Sequence, residues 1–292
     1  LTGLKQHTGN WPGKTVVNAQ GKYRHKGNNF IMVDIPGTYS LMANSAEEEI
    51  ARDFICFGGP DATVVVTDAT CLERNLNLVL QILEITDRVV VCVNLLDEAK
   101  KKGIRIDLEL LEARLGVPVA GTSARSKRGL DRLMEKVEAV AGGTYKTAPL
   151  RIGYGEAVER AVALVEPEAA RIAGGRLSSR WVALRLLDGD DSLLRSFKDC
   201  LGYDLPEDEG LGQSLARARA LLAEAGIEPG QLRDRMVRRL ILTCEGLALG
   251  GALSAPHRLM LEKPIGSDSD SAEQILRSIG ALIDEDRVFR ID

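Results

Sequence analysis

Two short runs constrain this chain more than anything else in it. "ATVVVTDA" (62–69) and "RVVVCVNLLD" (88–97) are apolar residue after residue over the length of a strand, with no polar alternation. A strand that is apolar on both sides of its pleat is covered on both faces, as in a parallel sheet between two layers of helices. The neighbouring segments agree. "ERNLNLVLQILEI" (73–85) puts Leu76, Leu80 and Leu83 at helical spacing. "DLELLEARLG" (107–116) reads as a helix closed by Gly116, "VPVAGTSA" (117–124) as a third buried strand, and "GLDRLMEKVEAV" (129–140) as the helix after it. Upstream, residues 15–23 and 25–35 read as an antiparallel pair, and residues 44–55 as a helix with Ser45 as N-cap and Glu47, Glu48 and Glu49 in its first turn. Strands alternating with helices at this spacing predict an α/β fold with a doubly wound sheet.

The pattern changes after "AGGTYKTAPL" (141–150). From there to about residue 249 it is helical throughout, with candidate helices at 156–172, 179–187, 192–200, 214–225 and 231–249. A Gly-, Ser- and Pro-containing stretch follows, then a short strand ("RLMLEKP"), a helix ("DSAEQILRSIGALI") and a last strand-like "RVFRI". The division expected is residues 1–145, 146–249 and 250–292.

Several function classes are disfavoured. The formal net charge of −4 and an aromatic content of 4% do not describe a nucleic-acid surface. Cys56, Cys71, Cys92, Cys200 and Cys244 are scattered without a C-x-x-C pair, so they read as reduced thiols of an intracellular compartment. His7, His25 and His257 have no metal-ligand spacing and read as surface or loop residues, and "KKK" (100–102) reads as a solvated loop. Nothing resembles a secretory signal, and no run of apolar residues is long enough to span a bilayer. Both ends read as cut, "LTGLKQ" without a Met and "VFRID" without a tail.

The chemistry lies at the ends of the strands, where doubly wound sheets bind ligands. Asp34-Ile35-Pro36-Gly37, Asn94-Leu95-Leu96-Asp97 and Thr122-Ser123-Ala124 follow three strands in order. An Asp at a strand end can hold Mg²⁺ through water, and a Gly amide three residues later can approach a terminal phosphate because no side chain intervenes. The Asp97 carboxylate can accept from two N–H groups of guanine, a pairing adenine does not offer. Asn94 can bond the base edge and tie the loops together, and the Ser123-Ala124 backbone can donate to the guanine carbonyl. A wrong base then leaves buried polar groups unpaired. Each motif alone is weak; their order and placement give them weight.

"GNWPGKTV", "DIPGTYSL", "TDATCLERNLNLVLQILE", "VNLLDEAKKKGIRID" and "GVPVAGTSA" together resemble the cytosolic GTPase domain of the ferrous-iron transporter B family. The segment with "SSRWVALRLLDGDDSLL" is similar to that family's helical domain, a guanine-nucleotide dissociation-inhibitor-like module. The resemblance covers about residues 1–245. It implies a P-loop GTPase-like doubly wound sheet followed by a small helical regulatory domain. It implies binding of GTP or GDP with Mg²⁺, hydrolysis stimulated by K⁺, and a place at the cytoplasmic face of a membrane beneath a membrane-embedded iron-transport region. By position it makes Thr15 the switch I threonine that reaches Mg²⁺ and the γ-phosphate, Asp34 and Gly37 the start of switch II, Asn94 and Asp97 the base-specificity motif, and Ser123 and Ala124 the last base-contacting motif. Thr38 follows Gly37 where a Ras-like GTPase has a water-positioning Gln, so no catalytic residue is assigned.

The phosphate loop itself, G-x-x-x-x-G-K-[ST], occurs nowhere in the 292 residues. "GNWPGKT" has only three residues between its glycines and precedes a strand instead of opening a helix. The expectation is a sheet lacking its first strand, and weak nucleotide binding. The tail differs again: "RLMLEKPIGSDSDSAEQILRSIGALIDEDRVFRID" (258–292) is similar to glucose-6-phosphate dehydrogenase, which implies substrate contact for Lys263. That gives the alternative, a fragment of an NADP-dependent oxidoreductase. With no dinucleotide fingerprint in the chain, the joint near residue 250 reads as a chimeric or misassembled sequence.

Overall fold

The computed structural model describes residues 7–11, 14–42, 45–175, 177–202, 208–228, 230–254, 259–262 and 288–291. The two apolar runs form strands β4 (Thr63–Asp68) and β5 (Val89–Asn94), parallel and in register from Thr63↔Val89 to Asp68↔Asn94. β7 (Val119–Gly121) lies parallel on the other side of β5, giving the order β4-β5-β7. Val89, Val90, Val91 and Val93 are fully buried, as a strand covered on both faces requires. Helices α2 (Leu72–Ile85) and α5 (Leu130–Ala141) supply cover: Leu76 and Leu80 from the first, Met134 from the second, are buried without exposure.

A second sheet, of order β1-β2-β3, is built from β1 (His7–Trp11), β2 (Lys14–His25) and β3 (Asn28–Asp34). β2 and β3 are antiparallel, as expected. The strand at 7–11 was not expected; "GNW" there reads as loop. His25 is a correction: it is 7% exposed at the end of β2, stacked on Tyr23, not a surface residue. Helix α1 (Ala46–Phe57) starts where the sequence says, with the Ser45 hydroxyl accepting from the Glu48 N–H at 3.2 Å.

The lysines at 100–102 also depart from expectation. Lys100 and Lys101 belong to a short helix α3 (Leu96–Lys101), and Lys101 pairs with Glu98 at 2.8 Å. Helix α4 (Leu108–Leu115) closes at Gly116, which sits at φ +69°; a Cβ there would lie 1.8 Å from the Ala148 carbonyl oxygen. Only glycine fits both the left-handed backbone and that contact. The contact anchors the 141–150 linker, whose Ala148 N–H donates back to the Gly116 carbonyl at 2.8 Å.

The helical half comprises α6 (Glu156–Ala173), α7 (Ser179–Asp188), α8 (Asp191–Leu201), α9 (Glu209–Glu224) and α10 (Gln231–Leu247). α9 begins five residues before the predicted 214, because Asp208 in "LPEDEG" caps it by accepting from the Leu211 N–H at 2.9 Å. One apolar core runs through both halves, from Leu76 and Leu80 to Val182, Leu184 and Phe197. β6 (Arg105–Ile106) pairs with β8 (Leu253–Ser254), and β9 (Leu259–Glu262) pairs parallel with β10 (Val288–Ile291). The strands expected near 259 and 288 are thus present. The expected helix at 270–283 and Lys263 lie outside the described residues. Among the described residues no helix is long and apolar enough to cross a membrane.

The two halves are joined by an ionic cluster as well as by apolar packing. Arg52, on α1, is 0% exposed. Its guanidinium meets Asp53 at 2.8 Å, Ser192 at 2.7 Å, Ser196 at 3.3 Å and Asp190 at 3.6 Å, the last three at the start of α8. Phe57 and Phe197 pack edge to face beside it, centroids 5.4 Å apart. Burial by itself would raise the Asp190 carboxyl, but the Ser192 hydroxyl and the Arg52 charge outweigh it and hold the carboxyl below its ordinary value. Its contribution to stability is therefore present above the ordinary carboxylate range and is lost as pH falls through the lowered value. Removing Arg52 leaves two carboxylates without their cation. Arg52→Ala is expected to destabilise the chain by about 3–5 kcal/mol, read from the urea midpoint, and a loss below about 1 kcal/mol contradicts this account.

Candidate functional site

The motifs meet where the two sheets face each other. Asp34, Ile35, Pro36, Gly37, Asn94, Thr122 and Ala124 line one cavity of about 630 Å³, whose body is walled by β3, β4, α1, α2 and α5. Asp97 and Ser123 line an adjoining pocket of about 640 Å³ with Leu96, Lys100, Lys101, Gly121, Thr122, Arg128 and Gly129. Thr122 borders both, so six of the seven predicted residues converge on one composite site. Thr15 lies near the start of β2; its side chain is outside what the structure describes.

Asn94 ends β5 and organises the second pocket. Its Oδ1 accepts from the Thr122 hydroxyl at 3.0 Å and from the Ala124 N–H at 3.0 Å, which ties the β5 end to the loop after β7. The Thr122 hydroxyl in turn lies 3.3 Å from the Cys92 sulfur. Leu95 follows in the left-handed region at φ +63°, unusual for a leucine, and this kink starts α3 with Asp97 in its first turn. A left-handed non-glycine residue costs about 1–2 kcal/mol and is sustained by its surroundings. Leu96 is held by its N–H donating to the Thr122 carbonyl at 3.2 Å, and Asp97 by its N–H donating to the Ser123 hydroxyl at 3.2 Å.

The result is a carboxylate at a helix N-terminus facing an open pocket. Ser123, then the backbone N–H groups of Asp97 and Glu98, hold the Asp97 carboxyl below its usual value, so it is ionised at neutral pH. Lys100, Lys101 and Arg128 add positive charge to the walls. Gly129 lets the loop close: it sits at φ +78°, and a Cβ there would lie 2.1 Å from the Gly121 carbonyl oxygen. Residues 124–128 thereby fold as a tight turn, with Ser123 and Arg128 bridged. Sequence reasoning named Thr122 only as the first residue of its Thr122-Ser123-Ala124 motif, without a role, and did not single out Gly129. Thr122 shows its role only as the hydroxyl partner of Asn94, and Gly129 only through the close approach of Gly121.

The first cavity is different in character. Asp34 closes β3 at its polar mouth, and Gly37 follows in a loop. Gly37 has no packing reason to be glycine, since an added Cβ would meet nothing within 4 Å and its φ is not positive. Its bareness leaves room beside its N–H. The loop is pinned from behind: Gln81 of α2 accepts from the Leu41 N–H at 2.7 Å, and the Arg185 guanidinium of α7 reaches Met42 at 3.4 Å. Among the described residues no three His, Cys, Asp or Glu side chains cluster as metal ligands. Asp34 is the one carboxylate among the residues that line this cavity.

Three segments of the chain match known families. Residues 1–137 match the family described as ferrous iron transport protein B, and residues 154–238 match the FeoB cytosolic helical domain. Residues 238–292 match the NAD binding domain of glucose-6-phosphate dehydrogenase, a shorter match that leaves the dehydrogenase alternative the weaker one. The Fe(2+) transporter FeoB of Escherichia coli K12 is 36% identical over 203 residues, which take in 65% of this chain and 25% of that protein. A Fe(2+) transport protein A/FeoB fusion protein of Porphyromonas gingivalis is 37% identical over 198 residues, 66% of this chain and 24% of that protein. The chain thus spans about a quarter of the length of these curated relatives. Among solved structures, the apo cytosolic domain of Thermotoga maritima FeoB superposes with a TM-score of 0.67 at 34% identity, covering 87% of this chain and 92% of that one. A GDP-bound mutant of the Streptococcus thermophilus FeoB G-domain gives 0.70 at 27% identity, covering 87% and 92%. With both FeoB models matched in succession and a solved FeoB cytosolic domain 34% identical and covered to 92%, this chain belongs to the FeoB family of ferrous iron transport proteins.

Proposed function

We propose that the chain is the guanine-nucleotide-binding cytosolic part of a ferrous iron transport protein, acting as a nucleotide-dependent switch. Residues 1–145 form the G domain, 146–249 the helical regulatory domain and 250–292 a dehydrogenase-like tail. The observation that carries the reading is the pre-built base pocket. Asn94 accepts from Thr122 and Ala124, and the carboxylate of Asp97 is held ionised by Ser123 at the pocket wall. A guanine ring there donates N1–H and N2–H to Asp97, and the Ser123 and Ala124 N–H groups, which bond the Arg128 carbonyl and Asn94 Oδ1 in the free chain, would turn to its O6. Solved FeoB cytosolic domains in GDP and GMPPNP forms support the ligand class.

The phosphate side rests on Asp34 and Gly37 at the mouth of the first cavity, with Thr15 as the Mg²⁺-reaching threonine of switch I and K⁺ as the stimulating ion. Charge on a γ-phosphate would draw the segments around Thr15 and Gly37 together, and hydrolysis would release them. Helix α1 follows the Gly37 loop directly and is fixed through Arg52 to α8. Movement of that loop therefore reaches the helical half, and from there a membrane-embedded iron-transport region at the cytoplasmic face of the membrane.

Two measurements test the reading. Asp97→Asn replaces an acceptor of two guanine donors with an amide. Calorimetric titration is expected to show GDP affinity falling by about 2–3 kcal/mol, roughly 30–150-fold, while xanthosine diphosphate, which has a carbonyl at position 2, gains. Unchanged GDP preference contradicts the assignment. Asp34→Ala is expected to abolish the Mg²⁺ dependence of nucleotide affinity, leaving the Mg²⁺-free affinity as it was; a Mg²⁺ dependence that survives removes Asp34 from the metal site.

A further inference from the structure

Helices α1 and α8 meet along a short line of contacts. On α1, Arg52, Asp53, Cys56 and Phe57 share one face at helical spacing, and on α8 Ser192, Ser196, Phe197 and Cys200 do the same. The contacts advance together along both helices. Arg52 reaches Ser192 at 2.7 Å and Ser196 at 3.3 Å, the Ser196 hydroxyl donates to Asp53 at 2.8 Å, and the Phe57 and Phe197 rings pack with centroids 5.4 Å apart. Ser196 is a small residue at the centre of this contact, which lets the helix axes approach closely. Cys56 lies one turn beyond Arg52, and Cys200 one turn beyond Ser196. The next turn of each helix therefore brings the two thiols together beside the paired phenylalanines. Burial raises the Cys56 thiol, the Arg52 charge works against this, and Asp53 and then Cys200 add to it, so the two sulfurs act on each other. Both cysteines are reduced; Cys56 is buried and Cys200 is exposed. The other three stand differently. The Cys92 sulfur is 3.3 Å from the Thr122 hydroxyl, and Cys71 and Cys244 line an open pocket of about 460 Å³ between α2 and α10.

We propose that Cys56 and Cys200 form a modification site, a thiol pair that low-molecular-weight disulfides oxidise to an intramolecular disulfide latching α1 to α8. The order of steps follows from exposure. The Cys200 thiolate attacks one sulfur of the reagent RS–SR; that S–S bond breaks, and RS⁻ leaves and takes up the proton that Cys200 lost. Cys56 is shielded from the reagent, and a buried, raised thiol is inert toward it, so it enters second. It gives up its proton and attacks the Cys200 sulfur of the mixed disulfide, and the second RS⁻ leaves as RSH. The two cysteines together lose two hydrogens, and RS–SR becomes two RSH. Holding both sulfurs on adjoining helices makes the second step intramolecular, which offsets the small thiolate fraction of Cys56. The new bond lies where Arg52 already joins the two halves, and it closes a loop of about 140 residues. Because α1 follows the loop of residues 34–42, the oxidised chain holds the far end of that loop rigidly against the helical half.

The test uses the whole chain without nucleotide, so it is independent of the guanine assignment, and glutathione disulfide is the oxidant. The intact mass of the treated chain is expected to fall by two hydrogens, and its unreduced digest to contain the Cys56 peptide joined to the Cys200 peptide. Dithiothreitol is expected to restore both thiols. In Cys56→Ser, glutathione is expected to remain on Cys200; in Cys200→Ser, Cys56 is expected to remain a thiol. The oxidised chain is expected to unfold at a higher urea midpoint than the reduced one. Glutathione left on Cys200 of the unaltered chain, a link between Cys71 and Cys244 in place of the expected one, or no reaction at Cys200 overturns the proposal. A urea midpoint that falls or stays unchanged on oxidation overturns it equally, because a bond between thiols already in place stabilises the fold.

Discussion

Everything at the base pocket depends on one side chain crossing between strands. Asn94 ends β5, yet its Oδ1 is spent on Thr122 and Ala124 beyond β7. Two hydrogen bonds to one oxygen lock the β7 loop against the start of α3, and the left-handed Leu95 becomes tolerable because both of its neighbours are held. With that geometry fixed, Ser123 and the backbone N–H groups of Asp97 and Glu98 hold Asp97 ionised at the open pocket. Remove the Asn94 crosslink and each piece remains, but nothing holds them at one distance from a planar ligand.

A second dependence links this pocket to the helical half. The loop from Asp34 to Met42 touches the cavity mouth, Gln81 of α2 and Arg185 of α7 in turn. Helix α1 follows and is clamped to α8 by a fully buried guanidinium. A buried ion pair is a poor source of stability relative to apolar packing, but it is intolerant of displacement. That suits a joint which must register the position of a loop. Tyr154 and Arg180 make a comparable joint at the linker: the Tyr154 hydroxyl donates to Glu84 at 2.6 Å, and Arg180 holds both Glu159 and the Ile152 carbonyl. The helical half is thus fixed to α1 and α2 at two polar points on one continuous core.

Much of this was legible in the residues because it rests on local rules. β4 and β5 announce themselves by apolar continuity, α1 by Ser45 and its acidic first turn, and α4 by Gly116. What escaped depends on tertiary partners. The helix α3 is hidden because a leucine adopts the conformation expected of glycine. Nothing local distinguishes Arg52 from an exposed helix arginine; only α8, about 140 residues away in sequence, makes it buried. His25 reads as a loop residue until the rest of the structure covers it. Of the site, the acceptors Asn94 and Asp97 were readable from spacing, while Thr122 and Gly129 act through contacts that spacing does not encode. Asp34 and Gly37 were readable too, but the cavity beside them shows only once the two sheets face each other.

The central claim is that the pocket between α3 and the β7 loop is built for guanine. Backbone amide shifts of the ¹⁵N-labelled chain, titrated in parallel with GDP and ADP, test it most directly. The account predicts that Asp97, Ser123 and Ala124 move with GDP and stay still with ADP at equal concentration. Equal movement of these amides with both nucleotides, or movement confined to residues outside the pocket, would contradict it.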